Sequence, residues 1–244
     1  RCVNRGLHAT QQLLKRDQIF VSLGLVLLPF IAWINLFQMS AEGNMFLGSF
    51  ASLAAMWAIM MIAMMIPSVA PMILVFSAVN RKRGGGVSSW IFISGYVLIW
   101  SSFSVLAAAL QSTLQGLALL SADMSILSPL VSGVLISAAG AYQLTSLKDT
   151  CLGKCAGPLD FVMTNWREGK AGALVMGIHH GLYCLGCCWL LMGLLFVTGI
   201  MNLLWVVVIA SFIFAEKIFI PRRMSSATAI ILIALGIFVA ARIV

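Results

Sequence analysis

Between residues 176 and 192 the chain reads Met-Gly-Ile-His-His-Gly-Leu-Tyr-Cys-Leu-Gly-Cys-Cys-Trp-Leu-Leu-Met, which places two histidines, three cysteines and two methionines within five helical turns. Thiolate, imidazole and thioether are the side chains a soft transition metal prefers. On a helix Met176, His180, Cys184, Cys188 and Met192 recur every four residues and form one slowly drifting stripe. Cys187 lies beside Cys184 and Cys188 on that face, whereas His179 is about a hundred degrees away from His180. Gly177, Gly181, Gly186 and Gly193 would let a neighbouring helix come close, as a shared site requires. The stretch is also apolar enough to cross a bilayer. Lipid offers no water to such polar groups, so they are expected to face a protein interior and a function.

Other candidate ligands lie elsewhere. Met56, Met60, Met61, Met64 and Met65 precede Pro67, Pro71 and Met72. Met60 stacks on Met64, and Met61 on Met65, at i, i+4. Counted from the ends of their apolar stretches, Met64 and Met65 reach the depth of Cys184, so an antiparallel pair of these helices would set thioethers opposite thiolates. Cys151 and Cys155 frame Cys-Leu-Gly-Lys-Cys, and a helical turn would bring both sulfurs to one side. In a reducing cytoplasm they would be thiols, suited to an acceptor pair that hands metal to the intramembrane cluster. Glu216 and Lys217 end another apolar stretch, either as an ion pair or as a device for moving protons or metal. Gln143 follows Tyr142 at the same edge, near Lys148. Tyr96, Trp100 and Trp189 read as packing or interfacial residues, and Cys2 as incidental. A single membrane cysteine is ordinary filler, as is methionine. Three cysteines within five residues beside two histidines are not explained that way.

These side chains need elements to hold them, and the composition says which. The chain has 244 residues, 61% hydrophobic and 9% charged, against roughly 25% charged in a soluble domain. An all-α, polytopic membrane bundle follows, read as a single transmembrane domain over 1–244. Stretches near the roughly 20 residues needed to cross fall at 19–37, 49–79, 88–110, 127–147, 171–198, 200–220 and 225–243, so seven spans are expected. The second holds Pro67 and Pro71, which predict a kink or an interruption. The fifth and sixth are joined by little more than Gly199. The chain begins with Arg1, so its natural start is expected to lie further upstream.

Lys and Arg in short loops set orientation. With the N-terminus inside, the cytoplasmic segments carry Arg1, Arg5, Lys15, Arg16, Arg81, Lys82, Arg83, Lys148, Lys154, Arg167, Lys170, Arg222 and Arg223, and the outside carries only Arg242. The seven-span reading therefore puts the N-terminus in the cytoplasm, the C-terminus outside, Glu42 and Asp123 in outer loops, and segment 148–170 in the cytoplasm. The net charge of +8 sits in these loops and does not suggest nucleic acid. Cys184-Leu-Gly-Cys187 is followed by Cys188 and not by histidine, which argues against covalent haem attachment. His179-His180 lacks the i, i+4 spacing of a zinc protease. No phosphate loop, nucleotide fingerprint or Ser/His/Asp grouping is visible, so an enzyme is the less favoured class.

Four segments carry a family resemblance. They are Met60-Met61-Ile62-Ala63-Met64-Met65-Ile66-Pro67-Ser68; Ala139-Gly140-Ala141-Tyr142-Gln143 leading to Lys148, Cys151 and Cys155; Gly181-Leu182-Tyr183-Cys184-Leu185-Gly186-Cys187-Cys188-Trp189 with Met192; and Gly199-Ile200-Met201-Asn202 leading to Glu216-Lys217. Over about residues 50–220 the chain resembles a bacterial domain-of-unknown-function family of predicted metal-binding integral membrane proteins. The resemblance implies a polytopic protein of the bacterial cytoplasmic membrane and a metal, without a settled reaction.

Soft sulfur ligands select Cu(I), zinc or iron–sulfur clusters. Thioethers bind zinc poorly and the chain has 14 methionines, so copper is the first expectation and zinc the second. The expected ligands are Cys184, Cys187, Cys188, His180 and His179, with Cys151, Cys155, Met60, Met64, Met65 and Met192 as further donors. The leading expectation is Cu(I) bound within the bilayer for delivery, storage or transport to a membrane cuproprotein. The alternatives are an accessory subunit of a copper-dependent oxidase or monooxygenase, and a membrane thiol–disulfide exchanger.

Overall fold

The computed structural model describes residues 2–42, 49–83, 87–121, 125–200, 202–218 and 221–241, apart from the side chains of 2–19, 41–42 and 221–224. Cys2, Glu42, Asp123, Met201, Arg222, Arg223, Arg242 and the glycines at 84–86 therefore lie outside the described residues or side chains. What is described is helical: α1 (Cys2–Glu42), α2 (Phe50–Lys82), α3 (Ser89–Gly116), α4 (Pro129–Tyr142), α5 (Ser146–Ala156), α6 (Pro158–Thr164), α7 (Gly169–Gly193), the single turn α8 (Leu195–Thr198), α9 (Leu203–Ile218) and α10 (Pro221–Ala241).

Local signals start these helices where they should. Ser49, Ser88, Ser128 and Thr145 cap α2, α3, α4 and α5, each accepting from a backbone N–H of the first turn. Proline opens α4 and α6, where its missing N–H costs nothing. Gly199, at φ 89, makes the turn between α8 and α9 in a backbone conformation that L side chains rarely adopt. α2 is not interrupted by Pro67 and Pro71; it runs unbroken for 33 residues.

The seven expected spans are not all present. Among the described residues four helices are long and apolar enough to cross a membrane: Phe20–Ser40, Phe50–Lys82, Ser89–Gly116 and Gly169–Thr198. A fifth crossing exists if α4 and α5, bent by 65° at their junction, count as one broken span. The other two stretches are shorter among the described residues. α9 has 16 residues, about 24 Å of helix against a hydrocarbon core of roughly 30 Å. The part of α10 whose side chains are described, Ser225–Ala241, is one of the shorter apolar helices among the described residues. Segment 148–170 is not a loop: it folds as α5 and α6, and α5 packs on α7.

α3 and α7 form one of the closest pairs, and glycine is the reason. A Cβ at Gly177 would collide with the Phe92 carbonyl, and one at Gly95 with the Leu174 carbonyl. The two backbones thus touch at reciprocal small residues, which is how helices associate in lipid. Gly177→Ala should destabilise the protein by about 1–3 kcal/mol through overpacking. Gly193→Ala, where a Cβ meets nothing within 4 Å, should be close to neutral. Thermal unfolding in detergent checks both. At one end of the bundle the Arg83 guanidinium lies 5.0 Å from the Trp166 ring centroid. The basic segments at 81–83 and 167–170 therefore share that end.

Candidate metal centre

The stripe on α7 faces the interior as its spacing requires. Met176, His180, Cys184, Cys188 and Met192 are each at most 1% exposed. Cys184 is the centre of a polar group drawn from five helices. From α3, the Tyr96 hydroxyl sits 3.1 Å from Cys184 Sγ and 3.3 Å from the Met65 carbonyl it donates to. From α9, Lys217 Nζ donates to Cys184 Sγ at 3.1 Å and to Ser68 Oγ of α2 at 2.8 Å. From α5, the buried Cys155 thiol lies near Cys184 and Cys187.

Among the described residues Lys217 pairs with no carboxylate. A buried ammonium needs an opposing charge, and Cys184 is the adjacent group able to carry one. The expected partnership of Glu216 with Lys217 is not what forms. Adjacent helical residues point apart, so Glu216 turns to Lys148 of α5, Nζ to Oε1 2.6 Å, and also accepts from Ser225 Oγ of α10 at 2.6 Å. Lys148, read from the sequence as a loop charge, is fully buried. Tyr96 is a partner of Cys184 as well as a packing residue. Neither role was legible locally, because each partner lies far away in sequence.

The remaining expected donors divide cleanly. Cys187 and Cys188 point their thiols back at the Cys184 carbonyl, at 3.0 and 2.9 Å. His180 packs against Tyr96 and edge-on against Phe161, with centroids 5.8 and 5.1 Å away, and its Nδ1 is buried without a hydrogen-bond partner. Cys151, one turn before Cys155, faces α7 at Gly186, where a Cβ would come within 2.8 Å of its sulfur. Both α5 sulfurs therefore do lie on one side, but packed against α7 and not in an open loop. Met60, Met64 and Met65 are buried on α2. α2 does not form the expected close pair with α7; it packs chiefly on α3 and α1, and reaches Cys184 through Tyr96 and Lys217. His179 is half-buried, off the stripe. Gln143 is buried with an unpartnered Oε1.

Among the described residues no three His, Cys, Asp or Glu side chains stand as a formed metal cage. Two of the thiols, Cys187 and Cys188, are turned onto the Cys184 carbonyl. The donor set still fits a soft ion: clustered thiols, an orphaned imidazole nitrogen and a fixed positive charge. An unsatisfied buried nitrogen is costly.

No curated protein and no solved structure matches the chain. Residues 54–239 match the family PpoB2, described as copper chaperone. With most of its length inside that match, and with several helices of membrane length, this chain belongs to the PpoB2 copper chaperone family.

Proposed function

We propose that the cargo is Cu(I), bound inside the bundle by the Cys184 thiolate and a second thiolate from Cys187, Cys188 or Cys155, with His180 Nδ1 as a nitrogen donor and with the two thiol protons leaving as the ion binds. The observation that carries this reading is the position of Cys184 Sγ, buried between the Lys217 ammonium, the Tyr96 hydroxyl and the Cys155 thiol. To take up the ion, Cys187 and Cys188 rotate about χ1 and release the Cys184 carbonyl. Each released hydrogen bond costs about 1 kcal/mol. Two thiolates on one Cu(I) leave one net negative charge, which Lys217 balances where no water can. Tyr96 and Lys217 hold the central sulfur in place, and the aromatic wall of Phe92, Tyr96 and Phe161 excludes water.

Cys151 and Cys155 form the exchange pair, with Cys151 against α7 at Gly186. The basic end marked by Arg83 and Arg167 faces the cytoplasm, by the bias of Lys and Arg toward that side. The receiving partner is a membrane cuproprotein of the oxidase or oxygenase class, in the bacterial cytoplasmic membrane. Thiol–disulfide exchange is disfavoured, because Cys184, Cys187 and Cys188 are at most 2% exposed and exchange needs access to the attacked sulfur.

The test is metal content with X-ray absorption at the copper and zinc edges, on protein prepared under reducing, copper-replete conditions. Sulfur-coordinated copper is expected in the wild type and should be lost from Cys184→Ser/Cys187→Ser/Cys188→Ser. Sulfur-bound zinc in place of copper, or the same copper content in the variant, would overturn the assignment.

A further inference from the structure

A serine inside an apolar helix commonly spends its proton on its own backbone. Ser94, Ser102, Ser104 and Ser112 of α3 do so, each donating to a carbonyl three or four residues back. Ser68 of α2 does the same, donating to the Met65 carbonyl at 2.9 Å. Its oxygen has a further role, because it also accepts from a charge on another helix, the Lys217 ammonium of α9, at 2.8 Å. With its one proton committed to Met65, the hydroxyl faces Lys217 as an acceptor only. Ser68 and Lys217 are both buried, so water does not compete for either.

Lysine carries its charge on a flexible four-carbon stem with three rotatable donors, so something must fix where that charge sits. α9 packs more on α2 than on α7. The ammonium therefore reaches Cys184 of α7 from a helix that leans on α2. Ser68 is the fixed point on α2, and from it Nζ also reaches Cys184 Sγ at 3.1 Å. Ser68 bears on the second partner of that sulfur too. The Met65 carbonyl accepts from Ser68 at 2.9 Å and from the Tyr96 hydroxyl at the longer 3.3 Å. Tyr96 lies closer to Cys184 Sγ, at 3.1 Å, although sulfur is the larger atom.

We propose that Ser68 is a positioning residue: it seats the Lys217 ammonium against Cys184 and, through that charge, sets how tightly the thiols hold their ion. The effect on the ion rests on the Cu(I) reading above; the seat itself stands on the hydrogen bonds of Ser68 and Lys217.

The test is a double-mutant cycle of Ser68→Ala with Lys217→Met, made on the full chain in detergent under reducing conditions. Cu(I) affinity is read by competition with a chelator of known affinity. Ser68→Ala removes a single oxygen and is expected to weaken Cu(I) binding by about 10-fold, the low end of what a supporting residue costs a metal site. In the Lys217→Met background the same change should move affinity by less than about 2-fold, the range of independent changes. Ser68→Thr keeps a hydroxyl able to bond the same carbonyl and should restore binding. A loss equally large with and without Lys217, or no loss at all, overturns the positioning role. The same cycle on thermal unfolding of the metal-free protein reads the seat without its cargo. The two changes should be non-additive there, and additive shifts in the midpoint overturn the seat. Wild-type protein that binds no Cu(I), while the metal-free cycle stays coupled, overturns the thiol reading instead and leaves the seat of Lys217 standing.

Discussion

Cys184→Ser should weaken Cu(I) binding by well over the roughly 10–100-fold that loss of an outer supporting residue typically costs a metal site. The sulfur it removes is the one at which Lys217, Tyr96 and Cys155 converge. Serine keeps the shape but offers a hard oxygen, which a soft ion disfavours. Lys217→Met is the informative companion. It leaves every sulfur in place and removes only the balancing charge, so affinity should fall by about 10–100-fold, as for a supporting residue. Cys187→Ser and Cys188→Ser should fall between wild type and Cys184→Ser, because either thiol can rotate to serve. Competition with a Cu(I) chelator of known affinity gives the order. Equal losses at all three cysteines would contradict the central place of Cys184.

A second large effect concerns stability. Glu216→Gln should destabilise the protein by about 3–5 kcal/mol, because it leaves the fully buried Lys148 without its opposing charge. Lys148→Met should cost a similar amount by stranding Glu216. The double variant Lys148→Met/Glu216→Leu should recover most of the loss, since an apolar pair of comparable volume needs no compensation. The pair joins α5 to α9, and Ser225 extends the connection to α10, so the single variants should also loosen the seat of Cys155. A double-mutant cycle on thermal unfolding in detergent measures the coupling. Single variants within about 0.5 kcal/mol of wild type, the range of ordinary surface changes, would show that the ion pair does not tie the helices together.

The expectations that failed share a cause. Apolar runs were counted as spans, and among the described residues two of them, α9 and the apolar part of α10, are shorter than that, while α4 with α5 makes a span only as a bent pair. Composition reports that a segment is apolar; it does not report a bend such as the one after Tyr142. Segment 148–170, expected on the cytoplasmic side, carries Lys148 and Lys154. Lys154 is indeed partly exposed beside Asp160. Lys148 is not, because its carboxylate partner is 68 positions away on another helix.

From the residues alone the helical class and the inward stripe on α7 were legible, and copper was the first expectation, in keeping with the copper chaperone family. All of them follow from side-chain chemistry and helical periodicity, which act within a few turns of one chain segment. Tertiary structure alone decided which donor sits at the centre, that Lys217 and not Glu216 faces the thiols, that Tyr96 joins α2 to α7 through hydrogen bonds, and that Cys155 enters the group while His179 does not. Those outcomes depend on how several helices, up to 149 positions apart where Lys217 meets Ser68, share one dry interior. There each buried charge and each thiol must find its partner among whatever groups the packing brings within reach.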